Sequence, residues 1–143
     1  MKVSDIIAFR KDVYSIPENT TVHEAARYLR ERAVRSAGVL DEAGKLVGVV
    51  SQSDISDKVA AENKCPAWMR VSEIMTRQLI TVSTAAPLDE CLQLMNKNGI
   101  YHLLVVEDDT FRGMISVTDL LTLIASDEKA RADLLEELIF PKR

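Results

Sequence analysis

The chain has 143 residues, 47% of them hydrophobic, with 18 Lys and Arg against 22 Asp and Glu, a formal charge of -4 and a pI of about 5.2. A chain of this length buries roughly 70% of its unfolded surface, so it needs neither metal nor disulfide to fold. The acidic balance disfavours general binding to nucleic acid, and no apolar run approaches the ~20 residues of a membrane span; with no signal-peptide pattern either, a soluble cytoplasmic protein without membrane contact is expected. Cys65 and Cys91 are too few for a disulfide framework and form no CxxC pair.

The chain opens on VSDII at 3–7, a short helical segment. VYSI at 13–16 is a β-branched run ending in a turn with Pro17, and Val22, Ala25, Ala26 and Leu29 follow the i, i+3, i+4, i+7 spacing of a helix. AGVL and VGVVS then face each other across DEAGK as a hairpin, and SDISDKVAAE reads as the start of a helix. ENKCPAWMR at 62–70 has no periodicity and reads as a linker, with Trp68 and Met69 expected to pack over the helix begun by Val71.

From there the chain repeats itself. VSDII returns as VSEIM at 71–75, and SIPENTTVHEAARYL at 15–29 returns as TVSTAAPLDECLQLM at 81–95. LITV is the second β-branched run, Leu88, Cys91, Leu92 and Met95 form the second helical stripe, and Gly99 stands where a left-handed cap belongs. HLLVV and GMIS form a second hairpin across EDDTF, with TDLLTLIASDE after it. Each copy is thus β-α-β-β-α behind a short helix, an α+β organisation. The expected division is residues 1–61, a linker at 62–70, residues 71–125, and an amphipathic C-terminal helix and tail at 126–143, in which Ala130, Leu134, Leu135 and Leu138 form the apolar face. A unit of about 55 residues buries its strands and helices poorly alone, so the copies are expected to pack together.

Two phrases stand out, GVVSQSDI at 48–55 and GMISVTDL at 113–120. Each places a Ser-x-x-Asp across a strand-to-helix junction, where free backbone N–H groups and the helix dipole favour an anion. The bland alternative is that Ser53 and Thr118, each just before an Asp, are ordinary N-caps. Spacing alone does not separate the two.

The paired units resemble a tandem of cystathionine-β-synthase-type (CBS) domains, a Bateman module, over residues 1 to about 125. The phrases match that family's signature of glycine, two apolar residues, Ser or Thr, two residues, Asp. The resemblance implies two repeats packed about a pseudo-twofold axis, with clefts that take adenine nucleotides or adenosyl compounds. It gives Asp54 and Asp119 the ribose hydroxyls, assisted by Ser51 and Ser116 with Ser53 and Thr118 nearby, since a carboxylate offers only acceptors. Phosphate contacts fall on Arg35 with Ser36, facing Asp119, and on Tyr101 with His102, facing Asp54. Adenine contacts fall around Ser15 to Thr21 and Ile80 to Pro87. Arginine stays charged where histidine titrates, which favours the Asp119 cleft for a phosphorylated ligand. The chain departs from the family in having Ala37-Gly38 and Leu103-Leu104 where Leu-Pro often stands.

The resulting expectation is a stand-alone regulatory module, not an enzyme, that requires no cofactor. It would bind AMP, ADP, ATP, NAD or S-adenosylmethionine as a regulatory ligand, form a homodimer and act on a protein target. The alternative is a ligand-free association module whose oligomer is lost when Leu121 or Ile124 is made charged. The lone histidines, His23 and His102, have no partner at metal spacing, and Cys91 reads as a core filler on the helical stripe.

Overall fold

The backbone chemistry of the repeat is visible first at its caps. In the computed structural model, which describes residues 1–10, 12–126 and 128–139 and all their side chains except those of 128–131 and 134, Thr21 opens helix α2 (Val22–Glu31) by accepting from the Glu24 N–H at 3.1 Å. Its counterpart α5 (Leu88–Asn98) ends at Gly99, which adopts φ 63° and ψ 35° as expected. The matching residue after α2 is Ala33, also at positive φ (54°). In both copies the following N–H returns to the helix, Val34 to the Leu29 carbonyl and Ile100 to that of Met95, each at 3.0 Å.

Strands follow the β-branched runs. Strand β1 (Ser15–Pro17) pairs parallel with β2 (Ser36–Leu40), and β2 pairs antiparallel with β3 (Leu46–Ser51), in the order β1-β2-β3. A second three-stranded sheet has the order β4-β5-β6: β4 (Thr81–Val82), β5 (His102–Glu107) and β6 (Thr110–Ser116), with β4 parallel to β5. Both expected hairpins form. The first turns on the Asp41 carboxylate, which accepts from the Ala43 and Lys45 N–H groups at 2.9 Å; the second turns on Asp108 and Asp109, both at positive φ, as a tight hairpin requires.

The chain falls into two compact units that cut across the order of the sequence. One contains Tyr14–Leu79 with Asp109–Phe111, and the other Met1–Val13, Ile80–Asp108 and the chain from Arg112 onward. The exchange concerns the short helices. Helix α1 (Val3–Ile7) donates from Val3 N to the Ala86 carbonyl (2.9 Å) and from Ser4 N to that of Thr84 (2.8 Å), so it seats on the turn before α5. Helix α4 (Val71–Ile74) does the same to the turn before α2, through Val71 N to Thr20 (2.8 Å) and Ser72 N to Glu18 (3.2 Å). Both exchanges satisfy N–H groups at a helix start that have no partner within the helix.

Each unit has its own core. Ile16, Val22, Ala25, Leu29, Val39, Val50, Val71 and Ile74 are buried together in one, and Val3, Leu88, Cys91, Met95, Leu103, Val105, Ile115, Leu120 and Ile124 in the other. Cys91 is therefore core, as read from its stripe, and burial first, then the Glu90 and Asp89 charges, push its thiol up to about 11. Cys65 is exposed. Two expectations need correction. Trp68 does not staple α4: the turn closed by Trp68 N and the Cys65 carbonyl turns the indole outward, 86% exposed, while Met69 packs on the core. Ile124 belongs to the core of its unit and offers no surface to a second copy; of the pair only Leu121 is exposed. SDISDKVAAE starts a helix as expected, α3 (Gln52–Ile55), which continues as a π-helical turn, Ser56–Ala60.

Helix α6 (Val117–Ile124) matches α3 in the second copy, and α7 (Glu128–Ile139) follows it. Gln93 on α5 donates to Glu137 on α7 at 3.2 Å, which ties α7 to its own unit. Leu135 and Leu138 nonetheless remain exposed, whereas Ala130 and Leu134 lie outside the described side chains, as residues 140–143 do altogether.

Candidate functional site

At both junctions the strand runs directly into a helix, and the serine is the cap. Ser51 is the N-cap of α3 and Ser116 that of α6, so Ser53 and Thr118 are the second residues inside their helices and not N-caps. The reason is spacing: a cap hydroxyl reaches the N–H three residues on, and that residue is the aspartate. Ser51 Oγ accepts from Asp54 N at 3.1 Å, while Asp54 Oδ2 accepts from Ser51 N at 3.0 Å. Ser116 Oγ and Asp119 N lie 3.2 Å apart, and Ser116 N donates to Asp119 Oδ2 at 2.8 Å. The repeated phrase is thus a duplicated capping box.

The two carboxylates differ in what else they meet. Asp54 is buried, at 8% exposure; its Oδ1 pairs with Lys58 Nζ at 3.0 Å and lies 3.4 Å from Thr76 Oγ1, while Ser51 Oγ donates to Oδ2 at 3.0 Å. Lys58 is itself fixed by donating to the Ile74 carbonyl at 2.8 Å. Asp119 has a side chain 29% exposed and forms an ion pair with Arg10, whose guanidinium also donates to the Met114 carbonyl. Burial pulls the Asp119 carboxyl upward, but hydrogen bonds from Arg10 and Ser116 and the Arg10 charge outweigh it and hold it below the usual aspartate value.

The residues expected to meet phosphate stand beside these junctions through the backbone. Arg35 accepts at its carbonyl from Gln52 N (2.9 Å), and Tyr101 from Val117 N (3.0 Å). Ser36 faces Ser51 across β2 and β3, and Arg35, Tyr101 and His102 present exposed side chains. Arg35 and Ser36 share a unit with Asp54, and Tyr101 and His102 share one with Asp119. Sequence reasoning missed Arg10, Lys58 and Thr76. A signal existed for two of them: Arg10 and Thr76 both lie just past the helices begun by VSDII and VSEIM. Among the described residues no group of His, Cys, Asp and Glu is arranged to hold a metal, and no helix is long and apolar enough to cross a membrane.

The CBS domain family profile matches residues 3–61 and 71–126, which decides the family. The chain belongs to the CBS domain family. An uncharacterised protein of Methanocaldococcus jannaschii is 34% identical over 126 residues, 87% of this chain, and a CBS domain-containing protein of Arabidopsis thaliana is 35% identical over 117 residues, 81% of this chain. The match spans only 40% and 21% of those relatives' own length. Among solved structures, the CBS domain pair of protein MJ0100, in complex with 5′-methylthioadenosine and S-adenosyl-L-methionine, is 31% identical with a TM-score of 0.76, covering 90% of this chain and 98% of that one. A conserved protein from Pyrococcus horikoshii is 32% identical with a TM-score of 0.72, covering 86% and 92%. The α+β CBS pair inferred from the repeated phrases is the fold this chain has.

Proposed function

We propose that this CBS pair is a regulatory module, not an enzyme, that binds an adenine nucleotide or adenosyl ligand, and that its working site is built on the Ser116–Asp119 junction. The observation that carries this reading is the contrast between the carboxylates: Asp119 is partly open at a helix start beside a cation, whereas Asp54 is buried and committed to Lys58, Ser51 and Thr76. A carboxylate that offers only acceptors suits a ribose diol. The related MJ0100 pair, which holds two adenosine derivatives, supports the same ligand class here. Family resemblance adds Arg35 with Ser36, and Tyr101 with His102, as phosphate contacts. A ligand regulates only through its differential affinity for two states, which a protein target then reads. The free thiols Cys65 and Cys91 fit a reducing cytoplasm.

A second reading is favoured by a separate observation. Leu121 on α6 and Leu135, Leu138 and Ile139 on α7 are exposed apolar residues, and a homodimer would cover them. The two readings are compatible. A thermal-shift panel of AMP, ADP, ATP, NAD, S-adenosylmethionine and GMP separates them: a ligand at 100 times its dissociation constant adds about 2.7 kcal/mol of stability. Association without ligand binding leaves every melting curve unchanged, and Leu121→Glu then shifts the oligomeric state alone.

A further inference from the structure

Arg10 sits just past α1, its backbone held by the bond from Arg10 N to the Ile7 carbonyl at 3.0 Å. Its guanidinium bridges the end of β6 and the start of α6: one nitrogen donates to the Met114 carbonyl and another pairs with Asp119 Oδ2. The side chain is 34% exposed. In the second copy the arginine just past the short helix, Arg77, donates instead to the Ser72 carbonyl at 2.9 Å. Sixty-eight positions on, the chain carries the neutral Gln78, and Asp54 takes its cation from Lys58, on its own helical segment. Arg10 therefore gives the Asp119 junction a charge that the repeat does not supply.

An arginine has five N–H donors, and Met114 and Asp119 use two of them. Three donors in the guanidinium plane remain, and an anion such as a phosphate is their natural acceptor. The ion pair also taxes a neutral ligand. A nucleoside that brings only a diol must compete with Arg10 for the carboxylate and gives the guanidinium nothing in return. A nucleoside 5′-phosphate offers hydroxyl donors to Asp119 and an anion to Arg10 together. Resting on the ligand-binding reading above, we infer that Arg10 makes the Asp119 junction selective for adenosine ligands that carry a phosphate on the 5′ side.

The test is an equilibrium titration of nucleotide-free protein with AMP and with 5′-methylthioadenosine, which share the nucleoside and differ in the 5′ anion. Wild type should prefer AMP. Arg10→Ala should weaken AMP about tenfold, or about 1.4 kcal/mol. It should leave methylthioadenosine unchanged or tighter and flatten the salt dependence of AMP binding. Arg10→Lys, which keeps the charge without the guanidinium, should fall between. Equal wild-type affinity for the two compounds overturns the inference, as does an Arg10→Ala protein that is folded by circular dichroism and binds AMP as wild type does. If wild type binds neither compound and no other adenine ligand, the ligand-binding reading has failed and this inference goes with it.

Discussion

Replacing Asp54 by alanine should destabilise the protein far more than an exposed acidic residue would. The carboxylate closes the Ser51 capping box, whose loss costs about 1 kcal/mol. It also accepts from Lys58 Nζ at 3.0 Å, but the lysine side chain is 47% exposed, so screening holds that pair below about 1 kcal/mol. The Thr76 hydroxyl at 3.4 Å adds little, whereas the half-buried Ser51 end of the network loses a hydrogen bond worth about 1 kcal/mol. The sum is about 2–3 kcal/mol. For a chain of this size that lowers Tm by roughly 6–12 °C, at about 3–4 °C per kcal/mol. Urea denaturation should show the midpoint falling with an unchanged slope. A fall in Tm below about 2 °C would refute the argument that Asp54 is chiefly a structural cap and would reopen it as a ligand residue.

Ala33 holds the left-handed position that Gly99 holds in the other copy, so Ala33→Gly should raise stability by about 0.5–1 kcal/mol, read from the urea midpoint. A thiol titration at pH 8 should count one reactive cysteine, Cys65, in native protein and two after denaturation, because Cys91 is buried with its thiol near 11. Asp119 titrates below its ordinary 3.8 in the folded chain, so the stability it confers is present above that value and lost as pH falls through the folded one. Wild type should accordingly lose more stability than Asp119→Asn between pH 7 and pH 3, with the difference fading below roughly pH 5 in urea titrations.

Much of this fold was legible because the chain states it twice. The stripes at Val22–Leu29 and Leu88–Met95, the cap at Gly99 and both hairpins follow from local periodicity and turn chemistry, which act over a few residues. The misses are of another kind. Trp68 is apolar and stands beside a helix, yet a turn fixed by the Cys65 carbonyl sends it to solvent. Ser53 looked like a cap because it precedes an aspartate, but the reach of the hydroxyl places the cap at Ser51. The exchange of α1 and α4 between units depends on hydrogen bonds to turns some 80 and 50 residues away in sequence, such as Val3 to Ala86 and Val71 to Thr20, which no local pattern encodes. Arg10 reaches Asp119 for the same reason.

On the proposed reading an adenosine-containing ligand is held at the Ser116–Asp119 junction. Isothermal titration of nucleotide-free protein with AMP, beside Asp119→Ala, tests it most directly. Wild type should give saturable heat, and a folded Asp119→Ala protein none at the same concentrations. Equal binding by the two proteins would contradict that reading and move the site away from this junction.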